Sequence, residues 1–272
     1  MYLRTAAYRY AAPIWRMSSW SLPGGGLMYN IFSEIFRVAY GDLVYMKHNA
    51  IQTLVSTLVG PLLYLIAFGY GMRAGDSEYI AYVIPGIVAI SSMNSGFSSS
   101  SQKIVIQRLF HTSFDELILC PMHTPSIIFG KCLMGIIRGL IGGVIIICLG
   151  MLLTSGLHIT AELILTMILS SVMFSLLGVA AGLLADSTPT LMMFNSLIIL
   201  PMSFMCGTLF DVSALPDIIS SIIWVLPLTH TTTVMREAAN CLPMDGISIL
   251  VIMIYIVSFY AICHYVIRKK LY

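Results

Sequence analysis

Six apolar stretches, each long enough to cross a lipid bilayer, constrain this chain more than any other feature of its sequence. A helix needs about 20 mostly apolar residues to cross a hydrocarbon core that is about 30 Å thick. The stretches occupy residues 51–72, 79–98, 127–153, 161–184, 190–210 and 247–267. Because lipid offers no hydrogen-bond partners to the backbone, we predict an all-α, polytopic membrane protein with six transmembrane helices.

The composition argues against a soluble protein with an unusually large core. Charged residues make up 10% of the 272-residue chain and hydrophobic residues 58%, whereas soluble domains carry about 25% charged residues. This excludes a soluble enzyme. The net charge of +2 is also too small to indicate binding to a polyanion, so we expect the lipid bilayer as a partner and no nucleic acid.

Basic residues divide unequally between the two sides that six spans create. If both termini are cytoplasmic, eleven Lys and Arg residues fall on that side, Arg73 and Arg236 fall outside, and Arg138 lies within a span. Positive charges favour the cytoplasmic side. The sequence therefore predicts a multi-pass protein of the cell (plasma or inner) membrane, with a cytoplasmic N-terminus and a cytoplasmic C-terminus.

The chain divides into three regions before and within the membrane. Residues 1–26 are expected to form an N-terminal cytoplasmic segment that ends in a flexible Gly24–Gly26 joint. Residues 27–48 carry apolar side chains at helical spacing, interrupted by charges, which predicts an amphipathic interfacial helix. A surface helix packed on other protein is the alternative. Residues 49–270 form the transmembrane domain.

The connection between spans two and three, 99–126, contains the signal of a short helix. Ser113 and Glu116 form an S-x-x-E capping box. Phe114 and Leu117 supply an apolar face, and Pro121 ends the helix within two turns. The spacing alone leaves open whether this helix docks a cytoplasmic partner or is an ordinary capped turn.

The connection between spans five and six, 211–246, is as apolar as a span but too short to cross. Pro216 and Pro227 bracket about ten residues that include Trp224. Such a segment is tolerated at membrane depth when it is buried in protein or lines a cavity. We therefore expect a re-entrant or interfacial helix at the outer end of a pathway.

The sequence contains no recognisable catalytic, metal or nucleotide site. Gly130-Lys131 resembles the end of a phosphate-binding loop, but that motif requires glycine at 125, which is Pro125, and a hydroxyl at 132, which is Cys132. The six cysteines include no C-x-x-C pair. We therefore expect no catalytic residue, cofactor or metal in this chain, and leave open whether Cys206 and Cys241 pair.

A few polar residues within the spans are candidates for a substrate path. A charge inside a span should face protein or water, and Arg138 is therefore either a contact for an anionic or polar headgroup or a structural partner. Asn94, Asn195 and Ser203 lie in mildly polar stripes. Helix packing through small residues explains these stripes equally well.

Several segments, in order along residues 30–270, resemble the type-2 ABC transporter permease family, in the branch of nodulation-factor and daunorubicin-type exporters. The matching segments are Gly60–Leu65 with Ala67–Gly69, Tyr79–Gly86, Thr112–Pro121, Phe204–Phe210, Ala214–Pro216 and Trp224–His230, with an arginine at Arg236. The resemblance implies the membrane subunit of an ATP-driven exporter that moves a lipid-linked saccharide, a lipid or an amphipathic drug outward. The alternative is a six-span secondary transporter or membrane scaffold that is not coupled to ATP.

The resemblance also implies partners and residue roles. ATP and Mg would be bound by a separate ABC ATP-binding subunit, and a second permease copy would complete a homodimer or a related heterodimer. The implied ATPase-coupling helix comprises Thr112, Ser113, Phe114, Asp115, Glu116, Leu117 and Pro121. The implied outer re-entrant hairpin contains Gly207, Pro216, Trp224, Pro227 and His230.

Overall fold

The structure is a computed structural model that describes residues 27–70, 77–110, 113–120, 122–153, 159–208 and 217–271, so the predicted segment 1–26 lies outside it. Every regular element in those ranges is helical. The helices are α1 (Leu27–His48), α2 (Ala50–Tyr64), α3 (Ser77–Leu109), α4 (Ser113–Leu119), α5 (Thr124–Leu153), α6 (Ala161–Leu184), α7 (Thr188–Phe194), α8 (Leu200–Met205), α9 (Asp217–Val225), α10 (Pro227–Ala239) and α11 (Gly246–Leu271). Two π-helical turns, Leu65–Tyr70 and Asn195–Ile199, extend α2 and join α7 to α8.

Six helical segments of the described chain are long and apolar enough to cross a membrane, which confirms the all-α, six-span prediction. In chain order, spans 1 to 6 are Ala50–Ala67, Tyr79–Leu109, Thr124–Leu153, Ala161–Leu184, Thr188–Met205 and Gly246–Lys269. Helix α4 joins spans 2 and 3, and helices α9 and α10 lie between spans 5 and 6. These connections mark opposite ends of the bundle, which are called the α4 end and the α10 end below.

Span 2 is longer than the sequence predicts. The apolar stretch ends at residue 98, yet the helix continues without a break to Leu109. Ile104 and Val105 are buried, and Lys103 pairs with Asp42 of α1. The polar residues after 98 therefore remain helical because protein, rather than lipid or water, surrounds this part of span 2.

Spans 2, 3 and 4 form the centre of the bundle, with span 2 in the most buried position. Of the residues in the apolar window of span 2, 83% are buried, against 17% in spans 1 and 6. Buried side chains of span 2, such as Ile87 and Met93, pack with Phe174 of span 4 in the main apolar cluster. The outer faces of spans 1, 5 and 6 remain exposed to the surroundings of the chain.

Small residues allow the three central spans to approach closely. A methyl group added at Gly135 of span 3 would collide with the hydroxyls of Ser100 in span 2 and Ser175 in span 4. One added at Gly139 would lie 2.8 Å from the hydroxyl of Ser171 in span 4. The serine stripes of these spans therefore lie in helix–helix contacts, as small-residue packing in membranes requires.

Candidate functional site

Phe114 attaches α4 to the membrane-spanning bundle. Its side chain is 1% exposed and lies in a second apolar cluster with Ile104 of span 2, Ile128 of span 3, Val179 of span 4 and Ile267 of span 6. A seven-residue helix has little stability of its own. The position of α4 is therefore fixed mainly by what Phe114 buries.

The opposite face of α4 is open. Leu119 is 83% exposed, and Glu116 is exposed as well. Leu117 and Ile118 are partly buried against the same cluster as Phe114. The helix thus presents one free face for about two turns, while its other face packs into an apolar cluster to which four spans contribute.

The structure describes part of the predicted coupling helix. Thr112 and Pro121 lie outside the described residues, and the side chains of Ser113 and Asp115 are likewise outside the described part.

Glu34 of α1 contacts the segment that follows α4. The backbone N–H of His123 donates to Oε2 of Glu34 at 3.2 Å, and the Nδ1 atom of His123 lies 3.2 Å from Oε1. Burial alone would raise the pKa of Glu34, but polar contacts with Ser126 and His123 and the histidine charge hold this pKa below its ordinary value. An ionised Glu34 therefore ties α1 to the start of span 3.

A buried charge cluster centred on Asp42 joins α1 to spans 2 and 3. Oδ2 of Asp42 accepts a hydrogen bond from Nζ of Lys131 at 3.1 Å, and Oδ1 lies 3.3 Å from Nζ of Lys103. Gln107 donates to Oδ1 at 3.3 Å. The Asp42 and Lys131 side chains are only 5% and 6% exposed. In the sequence, Asp42 is one of several charges that interrupt an amphipathic helix, and its spacing identifies none of these partners.

Arg108, which the sequence analysis does not single out, caps the end of span 4. Its Nη1 atom donates to the backbone carbonyls of Gly182, Leu183 and Ala185 at 3.0, 2.7 and 3.1 Å. The last carbonyls of a helix have no partners within it, and an arginine supplies them. Span 2 therefore holds span 4 at the α4 end.

Arg138 reaches from span 3 to span 1. Its Nε atom donates to Oγ1 of Thr57 at 3.2 Å, and its Nη2 atom donates to Oγ of Ser56 at 2.9 Å and to Oγ1 of Thr57 at 3.1 Å. Lys131 lies two helical turns earlier on span 3, as predicted, but it pairs with α1 instead. Lys131 therefore bonds to α1, and Arg138 bonds to span 1.

The other three residues predicted for a substrate path are not brought together with Arg138 by any hydrogen bond in the described chain. Asn94 is half-buried on span 2, and Asn195 is half-buried at the start of the π-helical turn of span 5. Ser203 is 4% exposed and donates to the carbonyl of Leu200, 2.7 Å away in its own helix.

Arg236 fastens α10 to span 2 and to the segment after α8. Its guanidinium lies 3.7 Å from the ring centroid of Tyr82, and its Nε atom donates to the Tyr82 carbonyl at 3.2 Å. Its Nη2 atom donates to the Thr208 carbonyl at 2.8 Å.

Two glycines are required next to this contact. Gly207 has a positive φ of 65°, which favours glycine. Gly86 of span 2 has no space for a Cβ, because the Thr208 carbonyl occupies that position. Pro216 lies outside the described residues.

His230 joins α10 to α9 and to the start of span 6. Its Nε2 atom lies 2.8 Å from the Trp224 carbonyl, and its Nδ1 atom lies 3.1 Å from Oγ of Ser248. Ser248 donates in turn to Oδ2 of Asp245 at 2.8 Å. This hydrogen bond from Ser248 is the main cause of the lowered pKa of Asp245.

The hydrogen bonds of this group join α9, α10 and the start of span 6. The Ser248 oxygen lies within hydrogen-bond distance of both the Asp245 carboxylate and the Nδ1 atom of His230. Pro227 begins α10 at the first turn, where a missing N–H costs nothing. Trp224 is 56% exposed, while His230 is 2% exposed.

Cys206 and Cys241 differ in environment. Cys206 is buried, which raises the pKa of its thiol to about 11, and Cys241 is exposed. Both are free thiols in the structure.

Comparison with known proteins gives one family match and a consistent group of relatives. The model of the ABC-2 type transporter family matches residues 34–240. The inner membrane transport permease YadH of Escherichia coli (strain K12) is 25% identical over 228 residues, which cover 80% of this chain and 88% of that protein. Nodulation protein J of Neorhizobium galegae is 23% identical over 240 residues, or 86% of this chain and 89% of that protein. Nodulation protein J of Bradyrhizobium diazoefficiens (strain JCM 10833 / BCRC 13528 / IAM 13628 / NBRC 14792 / USDA 110) is 24% identical over 196 residues, or 69% and 74%.

Proposed function

The chain belongs to the ABC-2 type transporter family and is a membrane component of an ABC transporter; we propose that it is the permease subunit of an exporter powered by a separate ATP-binding subunit. Its cargo class would be a lipid-linked saccharide, a lipid or an amphipathic drug. Two permease copies, identical or related, would form the path. ATP and Mg would be held by the partner subunit, and this chain would supply the path and the mechanical connection.

The attachment of α4 is the observation that carries the proposal. One face of α4 is buried by Phe114 among spans 2, 3, 4 and 6, and the other face is exposed. A partner that pushes on the exposed face therefore displaces the ends of four spans together, because close-packed interiors transmit strain. Helix α1 would move with them, since Asp42 and Glu34 tie it to spans 2 and 3.

This proposal implies which side of the membrane each end of the bundle faces. The α4 end would face the cytoplasm, where the ATP-binding subunit lies, and the positive-inside bias of the sequence favours the same orientation. The α10 end would then face outward. There, α9 and α10 are held to spans 2 and 6 by Arg236 and His230, and would close the outer end of the path.

The proposal is tested by purifying the full chain together with its candidate ATP-binding subunit and reconstituting both in proteoliposomes. We expect the chain to bind the ATPase and to stimulate its activity. Glu116→Arg, on the open face of α4, should weaken both effects. Glu162→Arg reverses an exposed glutamate at the opposite end of the bundle and should leave them unchanged.

Two results would contradict the proposal. One is a chain that transports cargo on an ion gradient without any ATPase, which would favour the secondary transporter. The other is equal stimulation of the ATPase by Glu116→Arg and by the unsubstituted chain, which would remove α4 from the coupling.

A further inference from the structure

Arg138 is a cation near the middle of a membrane span, and no carboxylate of the described residues pairs with it. Fourteen residues of its helix precede it and fifteen follow it, so the guanidinium belongs about 20 Å from either helix end at 1.5 Å per residue. In the described part of the chain, its partners are the neutral hydroxyls of Ser56 and Thr57. A charge at this depth is costly unless it meets water or an opposite charge.

The hydroxyls fix the guanidinium and leave part of it free. Ser56 and Thr57 donate their own hydrogens to the Thr53 carbonyl at 3.0 and 2.7 Å, so they accept from Arg138. The bonds to them engage the Nε and Nη2 atoms of Arg138. An arginine has five N–H donors, and the two on Nη1 have no partner within the described chain.

A second copy of this chain does not supply the missing negative charge at that depth. No Asp or Glu occurs anywhere in spans 1, 2, 3, 5 or 6. Span 4 contains one, Glu162, which is the second residue of its helix and lies at the α10 end. The spans of a second copy therefore place no carboxylate opposite Arg138, which leaves water or an anion from outside these spans to compensate the charge.

The surroundings of Arg138 indicate what kind of anion would fit. The guanidinium is half-buried, and Ser56 beside it is exposed, so the group is reachable from the outer face of span 1. Exposed apolar side chains flank it, with Val55 at 53%, Val59 at 49% and Ile141 at 37% exposure. A charged group in an apolar surface suits a ligand that carries an anion and an alkyl tail together.

We propose that Arg138, held by Ser56 and Thr57, binds the anionic headgroup of an amphipathic ligand, either a phosphate or a carboxylate, within the membrane. Arginine donates paired, charge-assisted hydrogen bonds to such oxyanions. The assignment of this ligand as transported cargo rests on the proposed function, whereas binding itself does not. A bilayer phospholipid carries the same chemistry, and the experiment below separates the two sources.

Binding is measured by native mass spectrometry of the full chain in neutral maltoside micelles, titrated with dodecyl phosphate. We expect one saturable site per chain, weakened at least about tenfold in Arg138→Gln, as the loss of a charge-assisted hydrogen bond implies. Arg268→Gln removes an exposed arginine near the end of span 6 and should leave binding unchanged. Dodecyltrimethylammonium and inorganic phosphate, which lack the anion and the tail respectively, should bind weakly.

A second variant protects the test against misfolding. Thr57→Val keeps the shape and the charge of the site but removes the oxygen that accepts from both Nε and Nη2. It should weaken binding less than Arg138→Gln while the chain still inserts and folds. Equal binding by Arg138→Gln and the unsubstituted chain would overturn the proposal. So would equal affinity for the cationic surfactant, or for inorganic phosphate alone.

Reconstitution with the ATP-binding subunit identifies the source of the ligand. Stimulation of ATPase activity by dodecyl phosphate, lost in Arg138→Gln, assigns the site to cargo. Binding without stimulation, together with competition by phosphatidylglycerol but not by phosphatidylcholine, assigns it to an anionic bilayer lipid. If the ATPase does not associate with the chain at all, the proposed function fails, but the micelle titration still decides whether the anion site exists.

Discussion

Replacing Phe114 by alanine should disconnect α4 from the spans. The side chain is 1% exposed and belongs to an apolar cluster that contains residues of four spans. Truncating a buried phenylalanine to alanine costs about 3–5 kcal/mol. If this cost falls mainly on the docking of α4, the ratio of docked to undocked helix drops by about two to four orders of magnitude. The partly buried Leu117 and Ile118 are the only other apolar contacts of α4 in the described part of the chain.

The assay compares ATP hydrolysed with cargo exported in proteoliposomes that contain the chain and its ATP-binding subunit. We expect Phe114→Ala to lose most export while ATP hydrolysis continues. Phe114→Leu keeps most of the buried apolar surface and should retain an intermediate export rate. Phe110→Ala, which truncates a phenylalanine that is 68% exposed just before α4, should leave export unchanged.

One result would refute the reasoning. If Phe114→Ala inserts, remains folded by its thermal unfolding and exports cargo with the normal ratio of export to ATP hydrolysed, the burial of Phe114 does not transmit the push. If Phe110→Ala has the same effect as Phe114→Ala, the loss belongs to the whole connection and not to this anchor.

Three further predictions concern the stability of the fold, measured by thermal or denaturant unfolding in neutral detergent. Asp42→Asn leaves Lys131 buried without its counter-ion and should cost about 3–5 kcal/mol, and Asp42→Asn with Lys131→Met should recover part of that loss; an unchanged single variant would contradict the pairing. Gly135→Ala should destabilise the bundle by about 1–3 kcal/mol through overpacking, whereas Gly41→Ala, with nothing within 4 Å of the added methyl, should not. Because folding lowers the pKa of Glu34, its stabilising contribution is complete above the ordinary glutamate pKa and is lost as the pH falls through the lowered value. Glu34→Gln should therefore flatten the acid side of the stability profile, and an unchanged slope would show that another group causes it.

The sequence was sufficient to predict features whose cause lies within one helix, namely the six spans and the short helix α4. Long apolar runs have one stable form in lipid, so six spans follow from length and composition alone. The short helix after span 2 was likewise predictable from its capping box, and the structure has it at Ser113–Leu119. Local signals are sufficient in these cases because the physical cause lies within a few residues of the effect.

The sequence was less informative at the end of span 2. Its apolar stretch stops at residue 98, but the helix continues for three more turns to Leu109. The polar residues there, among them Lys103 and Gln107, are stabilised by Asp42 of α1, which lies more than 60 residues earlier. An apolar stretch in the sequence indicates which residues are stable in lipid. It does not reveal a polar continuation of the same helix that is surrounded by protein.

The sequence by itself determined that this chain lies in a membrane, how many times it crosses, and that its only mid-span charge is Arg138. The tertiary structure alone decided which charges are paired. Lys131 and Arg138 share one helix face, yet Lys131 meets the carboxylate of Asp42, whereas the partners of Arg138 among the described residues are the hydroxyls of Ser56 and Thr57. The physical reason is that charge compensation depends on which helices are neighbours, and neighbours are set by the packing of small residues between spans and not by any local pattern.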